Sequence, residues 1–232
     1  VWENRSVQVA LASYPGLSAN ECEAFTLVFE RLADTEILGV GEQVGHVDGP
    51  GGGTTVDRHY DQVLDPDVVL VPGGLGCGRA AKDLELRRWL RAVAPRCRWL
   101  AASSTGTVIV AAAGLLDDRA AATHWLAGDL LEQYGSAAST ERIVEIGNVI
   151  TCEGEITAMH VALLVVLRLV GPAEVARIRA ELDRYGRADD AAASGGRWRR
   201  RPRTPSGPQR PRNPELRAPD VIEFEPLRIH PR

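Results

Sequence analysis

Asp67-Val68-Val69-Leu70-Val71-Pro72-Gly73-Gly74 reads as a strand covered on both sides that stops at a sharp turn. Four aliphatic side chains in succession leave no polar face, which suits a central parallel strand rather than a half-exposed antiparallel one. Parallel neighbours need long crossover connections, and the sequence on both sides supplies them. Downstream, residues 84–93 carry an amphipathic helical pattern, 98–102 (RWLAA) a second strand and 105–114 an almost wholly apolar helix. Upstream, residues 6–12 (SVQVALA) form a strand, followed by the turn Tyr14-Pro15-Gly16. Phe25, Val28, Phe29 and Leu32 then recur at helical spacing, before a further strand at 35–41.

The remaining segments fit the same alternation. Gly49-Pro50-Gly51-Gly52-Gly53 separates two short runs, 43–47 and 54–57, as in a hairpin or a loose excursion, and suggests no chemistry. Residues 125–134 read as helix, 142–146 and 148–152 as strands joined across Gly147, and 156–170 as a buried helix. Gly171-Pro172 stops that helix, and 173–185 make a last, charged one. The expectation is an α/β layer fold over residues 1–186 with a mainly parallel central sheet.

Composition divides the 232 residues in two. The overall balance is −4, but residues 187–232 hold 11 Arg against 6 acids, whereas residues 1–186 hold 16 basic and 25 acidic residues. Six of the 14 prolines fall in 187–219, and such a mixture cannot bury enough apolar surface to offset ordering entropy. Residues 187–232 therefore read as a Pro/Arg-rich tail. Its Arg cluster could touch nucleic acid by charge alone, but a solvated extension is the simpler reading, so no nucleic-acid partner is expected. Val221-Ile222-Glu223-Phe224-Glu225 alternates apolar and acidic residues, as a strand docking at 221–225 on a sheet edge would.

No apolar stretch reaches the length of a membrane span, because Arg168 interrupts the longest aliphatic run, so no membrane partner is expected. No secretory signal is visible, which leaves the cytoplasm as the default location. Cys22, Cys77, Cys97 and Cys152 have neither C-x-x-C spacing nor a His partner at zinc-ligand spacing, so reduced thiols and no metal are expected. Gly74-Leu75-Gly76-Cys77-Gly78 lacks the final spacing of a dinucleotide fingerprint, so no NAD, FAD or other cofactor is inferred.

Chemistry points to Ala102-Ser103-Ser104-Thr105-Gly106, where a buried strand turns into a buried helix in the layout of a nucleophile elbow with Ser104 at its apex. The carboxyl edge of an open α/β sheet is where ligands bind, and a helix N-terminus there can hold developing negative charge. The plainer alternative is that Ser103 or Ser104 merely caps the helix. Glu21 falls in the first turn of the first helix, where its carboxylate can reach the same edge or serve as an exposed helix-start acid. His124 in Ala122-Thr123-His124-Trp125 is a structural imidazole unless it faces Ser104. A serine hydroxyl needs a neighbouring base to become a nucleophile, so the reading depends on Glu21, Ser104 and His124 sharing one cavity.

Six motifs in order carry a family resemblance: Tyr14-Pro15-Gly16, Val71-Pro72-Gly73-Gly74, residues 101–106 (AASSTG), 111–117 (AAAGLLD), 122–125 (ATHW) and 147–154 (GNVITCEG). Over roughly residues 6–185 the chain resembles the ThiJ/PfpI superfamily, the class I glutamine-amidotransferase-like proteins. The likeness is greatest to the isonitrile hydratase branch and to the amidotransferase-like domain of AraC-type regulators. The resemblance implies a flavodoxin-like three-layer sandwich, usually a homodimer, acting on a small-molecule substrate. It places the acid at Glu21, oxyanion-type donors at Gly74 and Leu75, and the residue after the nucleophile at Thr105.

Two positions depart from the family pattern. Members generally place a reactive cysteine at the elbow, where this chain has Ser104, and a thiolate is available near neutral pH while an alkoxide is not. His160 stands where relatives commonly carry an acid near the pocket. Cys22, beside Glu21, points about 100° away on a helix and reads as core. The expected activity is a lyase, hydratase or isomerase working by cofactor-independent proton transfer at Glu21, in secondary metabolism, with Ser104 and Thr105 as hydrogen-bonding groups. The alternatives are a non-catalytic ligand-binding or dimeric interaction module, or a regulator without its DNA-binding domain.

Overall fold

Strand β1 (Val7–Ala12) leads through a tight turn into helix α1 (Ala19–Phe29), and the chain returns as β2 (Thr35–Gly41) in parallel beside β1. The structure is a computed structural model that describes residues 6–116 and 118–195. The glycine-rich run then folds as an antiparallel ribbon of β3 (Gly45–Val47) and β4 (Thr54–Val56), and β5 (Arg58–His59) pairs in parallel with β2. β6 (Val68–Val71) is the strand read first from the sequence, and all four of its residues are buried. It lies between β1 and β7 (Trp99–Ser103), parallel to both.

The connection from β6 to β7 holds the short α2 (Cys77–Ala80) and α3 (Leu84–Val93). Asp83 caps α3 by accepting from the N–H groups of Glu85 and Leu86, and Leu86, Trp89, Leu90 and Val93 form its buried stripe. After β7 come α4 (Gly106–Ala112), a 3-10 turn at Trp125–Ala127 and α5 (Gly128–Glu132). β8 (Ile143–Ile146) turns at Gly147 into β9 (Val149–Cys152), antiparallel to β8 and parallel to β7. α6 (Glu155–Val170) and α7 (Pro172–Gly195) complete the described chain.

The main sheet runs β5-β2-β1-β6-β7-β9-β8, the flavodoxin-like order with an antiparallel edge strand. From β1 the chain moves one way to β2 and the other way through β6, β7 and β9. Right-handed crossovers therefore place α1 on one face and α3 and α4 on the other. α6 packs along α1, while α4 contacts α2, α3 and α5, which gives the expected three layers. Among the described residues no helix is long and apolar enough to cross a membrane.

Some elements depart from the sequence reading. The segment 125–134 is a 3-10 turn and a five-residue helix rather than one continuous helix, with Trp125 and Leu126 exposed. α7 does not stop at 185 but runs to Gly195. The rest of the tail, including the docking strand expected at 221–225, lies outside the described residues.

Candidate active site

Three chain turns meet at the carboxyl edge of β1, β6 and β7. The start of α1 is held from two sides: Gly16 N–H donates to Asp48 O at 2.7 Å, Ala19 N–H to Pro50 O at 2.9 Å and Ser18 N–H to Gly73 O at 2.9 Å. The glycine-rich ribbon loop is thus a clamp on α1. It is made of glycine for space: a Cβ at Gly49 would lie 1.9 Å from the Leu17 carbonyl oxygen. Ser18 caps α1 by accepting from Glu21 N–H, which fixes Glu21 in the first helical turn. Tyr14 Oη donates to Pro72 O at 2.8 Å, tying the first turn to the second.

The second turn, Pro72-Gly73-Gly74, is latched to the elbow by one hydroxyl. Thr105 Oγ1 accepts from Gly74 N–H at 2.9 Å and donates to Gly74 O at 3.1 Å. At the elbow itself Ser104 has φ +54°, in the left-handed region that a side chain rarely adopts. Its N–H donates to Cys152 O at 2.8 Å, and its carbonyl accepts from Thr123 Oγ1 at 2.9 Å. Neither serine caps α4: Thr105 holds the cap position, with no side-chain cap bond.

Glu21 and Ser104 meet here, at 9% and 6% exposure. Ser103 Oγ donates to Glu21 Oε2, and the Ser104 hydroxyl is a second partner of the same carboxylate. Burial raises the Glu21 carboxyl above its ordinary value of 4.5. The two serine hydroxyls and His124 pull it back down, while the Glu155 carboxylate adds to the rise. The N–H groups of Leu75 and Thr105 donate to no acceptor among the described residues, whereas that of Gly74 is taken by Thr105.

His124 is near enough to Glu21 to act on it electrostatically, but no hydrogen bond links it to Ser104 among the described residues. Its Nδ1 accepts from Leu126 N–H at 3.3 Å, and its ring lies against Trp125. His124 lines a cavity of about 470 Å³ with Trp125, Arg142, Glu153, Glu155 and Thr157, and neither Glu21 nor Ser104 belongs to that wall. His160 stands in an adjoining cavity that shares Glu155 and Ile156 with the first. It lines this second cavity, of about 340 Å³ between α1 and α6, with Asn20, Glu23, Leu27 and Met159, and burial and the nearby Arg142 and Arg179 push its pKa down from 6.5.

The structure thus joins Glu21, Ser104, Thr105 and Gly74, and sets His124 and His160 at their margin in two adjoining cavities. Ser103 and Thr123 were missed as site residues, although the Ser-Ser doublet at a strand end signalled one of them. Cys22 is buried, and burial first, then the Glu21 charge, pushes its thiol up to about 12. Among the described residues no three His, Cys, Asp or Glu side chains gather to hold a metal ion.

The model of the DJ-1/PfpI family matches residues 7–168. The isonitrile hydratase of Pseudomonas putida is 33% identical over 117 residues, covering 50% of this chain and 51% of that protein. The HTH-type transcriptional regulator CdhR of Pseudomonas aeruginosa is 34% identical over 118 residues, 48% of this chain and 35% of the regulator. The matches thus span about half, or less, of these curated relatives. Among solved structures, a ThiJ/PfpI family protein from Pseudomonas syringae superposes with a TM-score of 0.72 at 24% identity, covering 77% of this chain and 75% of the other, a likeness of fold.

Proposed function

The chain belongs to the DJ-1/PfpI family, and on that premise we propose that it is a small-molecule lyase, hydratase or isomerase that moves a proton through Glu21 without a cofactor. The observation that carries this reading is the buried carboxyl of Glu21, raised by its surroundings and held by Ser103. A carboxyl in that state keeps its proton to higher pH than a free one, and the two serine hydroxyls stabilise the carboxylate left once the proton is given up. The unpartnered N–H groups of Leu75 and Thr105 supply donors for charge developing on the substrate. Ser104 acts as a hydrogen-bonding group. Its hydroxyl partners the Glu21 carboxylate, the group that moves the proton in this scheme, and His124 does not bond to it.

The similarity to an isonitrile hydratase makes an alkyl isonitrile the first substrate to try. Water would add to the terminal carbon, its oxygen bonding there and one proton passing through Glu21 to the same carbon, and the hydroxyl proton of the resulting formimidic acid would then move to nitrogen to give the N-substituted formamide. Formamide release is the readout. Glu21→Gln is expected to lower turnover by about 10²- to 10⁴-fold, the usual worth of general acid–base catalysis. Ser104→Ala should lower it by roughly tenfold, the worth of one hydrogen bond. Undiminished turnover in Glu21→Gln overturns the assignment. The proposal includes a homodimer acting in the cytoplasm.

A second reading, a ligand-binding module without chemistry, draws on one feature: the Gly74 N–H, a donor expected from the family likeness, is consumed inside the protein. On that reading, metabolites would raise the melting temperature saturably while no product forms.

A further inference from the structure

The cavity of about 470 Å³ beside the site is built from residues that the proton-transfer scheme does not use. Its wall carries three carboxylates, Glu141, Glu153 and Glu155, against one permanently cationic side chain, Arg142. Arg142 is already committed, since its Nε donates to Glu153 Oε1. Glu141 and Glu155 have no cationic partner among the described residues. On the same wall Trp125 presents its indole to solvent at 81% exposure, and Ile156 stands beside it, also exposed. An exposed tryptophan next to unpaired carboxylates is the pairing that recognises a cation with an apolar body, through charge and through the face of the ring.

The cavity also adjoins the chemistry. Thr123 of its wall holds the Ser104 carbonyl, and His124 and Glu155 act on the Glu21 carboxyl. We propose that this cavity binds the distal part of the substrate and selects an organic ammonium compound, with the charged nitrogen near Glu141 and Glu155 and the apolar portion against Trp125 and Ile156. The assignment rests on the reading of Glu21 and Ser104 as the reacting centre and adds the class of molecule that the centre receives. Carboxylates and phosphates are disfavoured by the same wall.

Calorimetric titration of the full chain with three probes of one shape, benzylammonium, benzyl alcohol and benzoate, tests this without requiring turnover. Benzylammonium should bind saturably and at least about tenfold more tightly than benzoate, and the preference should shrink as salt rises. Glu141→Gln and Glu155→Gln should each weaken benzylammonium about threefold, and Trp125→Ala about fivefold, with benzyl alcohol responding only to Trp125→Ala. All three changes lie on the surface, and circular dichroism confirms that the variants are folded. Benzoate binding as well as benzylammonium, a Glu141→Gln/Glu155→Gln double variant with unchanged affinity, or no saturable binding of the ammonium probe each overturns the proposal. Glu21→Gln separates it from the catalytic reading. Retained ammonium binding with undiminished turnover sinks the role of Glu21 alone, and absent ammonium binding with Glu21-dependent turnover of a neutral substrate sinks this one alone.

Discussion

Ser104 holds a left-handed backbone that costs an L-residue with a Cβ roughly 1–2 kcal/mol. The surrounding bonds, from its N–H to Cys152 and from Thr123 to its carbonyl, keep it there. Comparing Ser104→Gly with Ser104→Ala separates strain from lost hydroxyl contacts, because both variants lack the hydroxyl. The glycine variant should be the more stable of the two by about 1 kcal/mol in chemical denaturation. Glu21 contributes a second local cost, with a definite sign. Its folded pKa is raised, so its favourable contribution is full below about 4.5, the unfolded value, and is lost as pH rises through the folded one. Glu21→Gln, which cannot ionise, should therefore melt higher than the parent at pH 7, and the gap should close as pH falls toward 4. Thermal scans across that range check it. A gap that widens on acidification would show that the carboxylate, not the acid, is the form the fold prefers.

The elbow between β7 and α4 depends on how closely α4 starts against the end of β6. A Cβ on Gly106 would stand 2.2 Å from the Val71 carbonyl oxygen and 2.8 Å from that of Pro72, backbone atoms that cannot swing aside. Gly106→Ala should cost about 3 kcal/mol in urea denaturation, by forcing strand and helix apart. The elements flanking this elbow were legible because their signals are strong. Val68 to Val71 leave no polar face, and Leu86, Trp89, Leu90 and Val93 repeat at helical spacing. The segment 125–134 was not, because its pattern reads as one helix, whereas Trp125 and Leu126 are exposed and belong to a 3-10 turn that precedes a five-residue helix. Two-residue β5 and four-residue α2 are too short to show any period, and only tertiary pairing creates them.

At the scale of the whole molecule, the order β2-β1-β6-β7 makes the ends of β1 and β7 near neighbours, so Glu21 and Ser104 converge although 83 positions separate them. That convergence was readable once the sheet was taken as parallel. The setting of His160 in the adjoining cavity was not, since it depends on which side of α6 faces the groove along α1. The run of α7 beyond 185 was not legible for a related reason: Gly186 reads as a stop, while Ala191-Ala192-Ala193 beyond it favour continued helix. The four cysteines are free, and each is buried in a different part of this unit. Burial pushes Cys97 and Cys152, like Cys22, up to about 12, where a thiol at neutral pH is ionised to roughly one part in 10⁵. Iodoacetamide should therefore leave Cys22, Cys97 and Cys152 of the native protein unlabelled over an hour and modify them once denaturant is present, as mass spectrometry can count. Alkylation then becomes a clock for the molecule: each of these three sulfurs is struck only when the chain opens, and the labelling rate reads how often it does so.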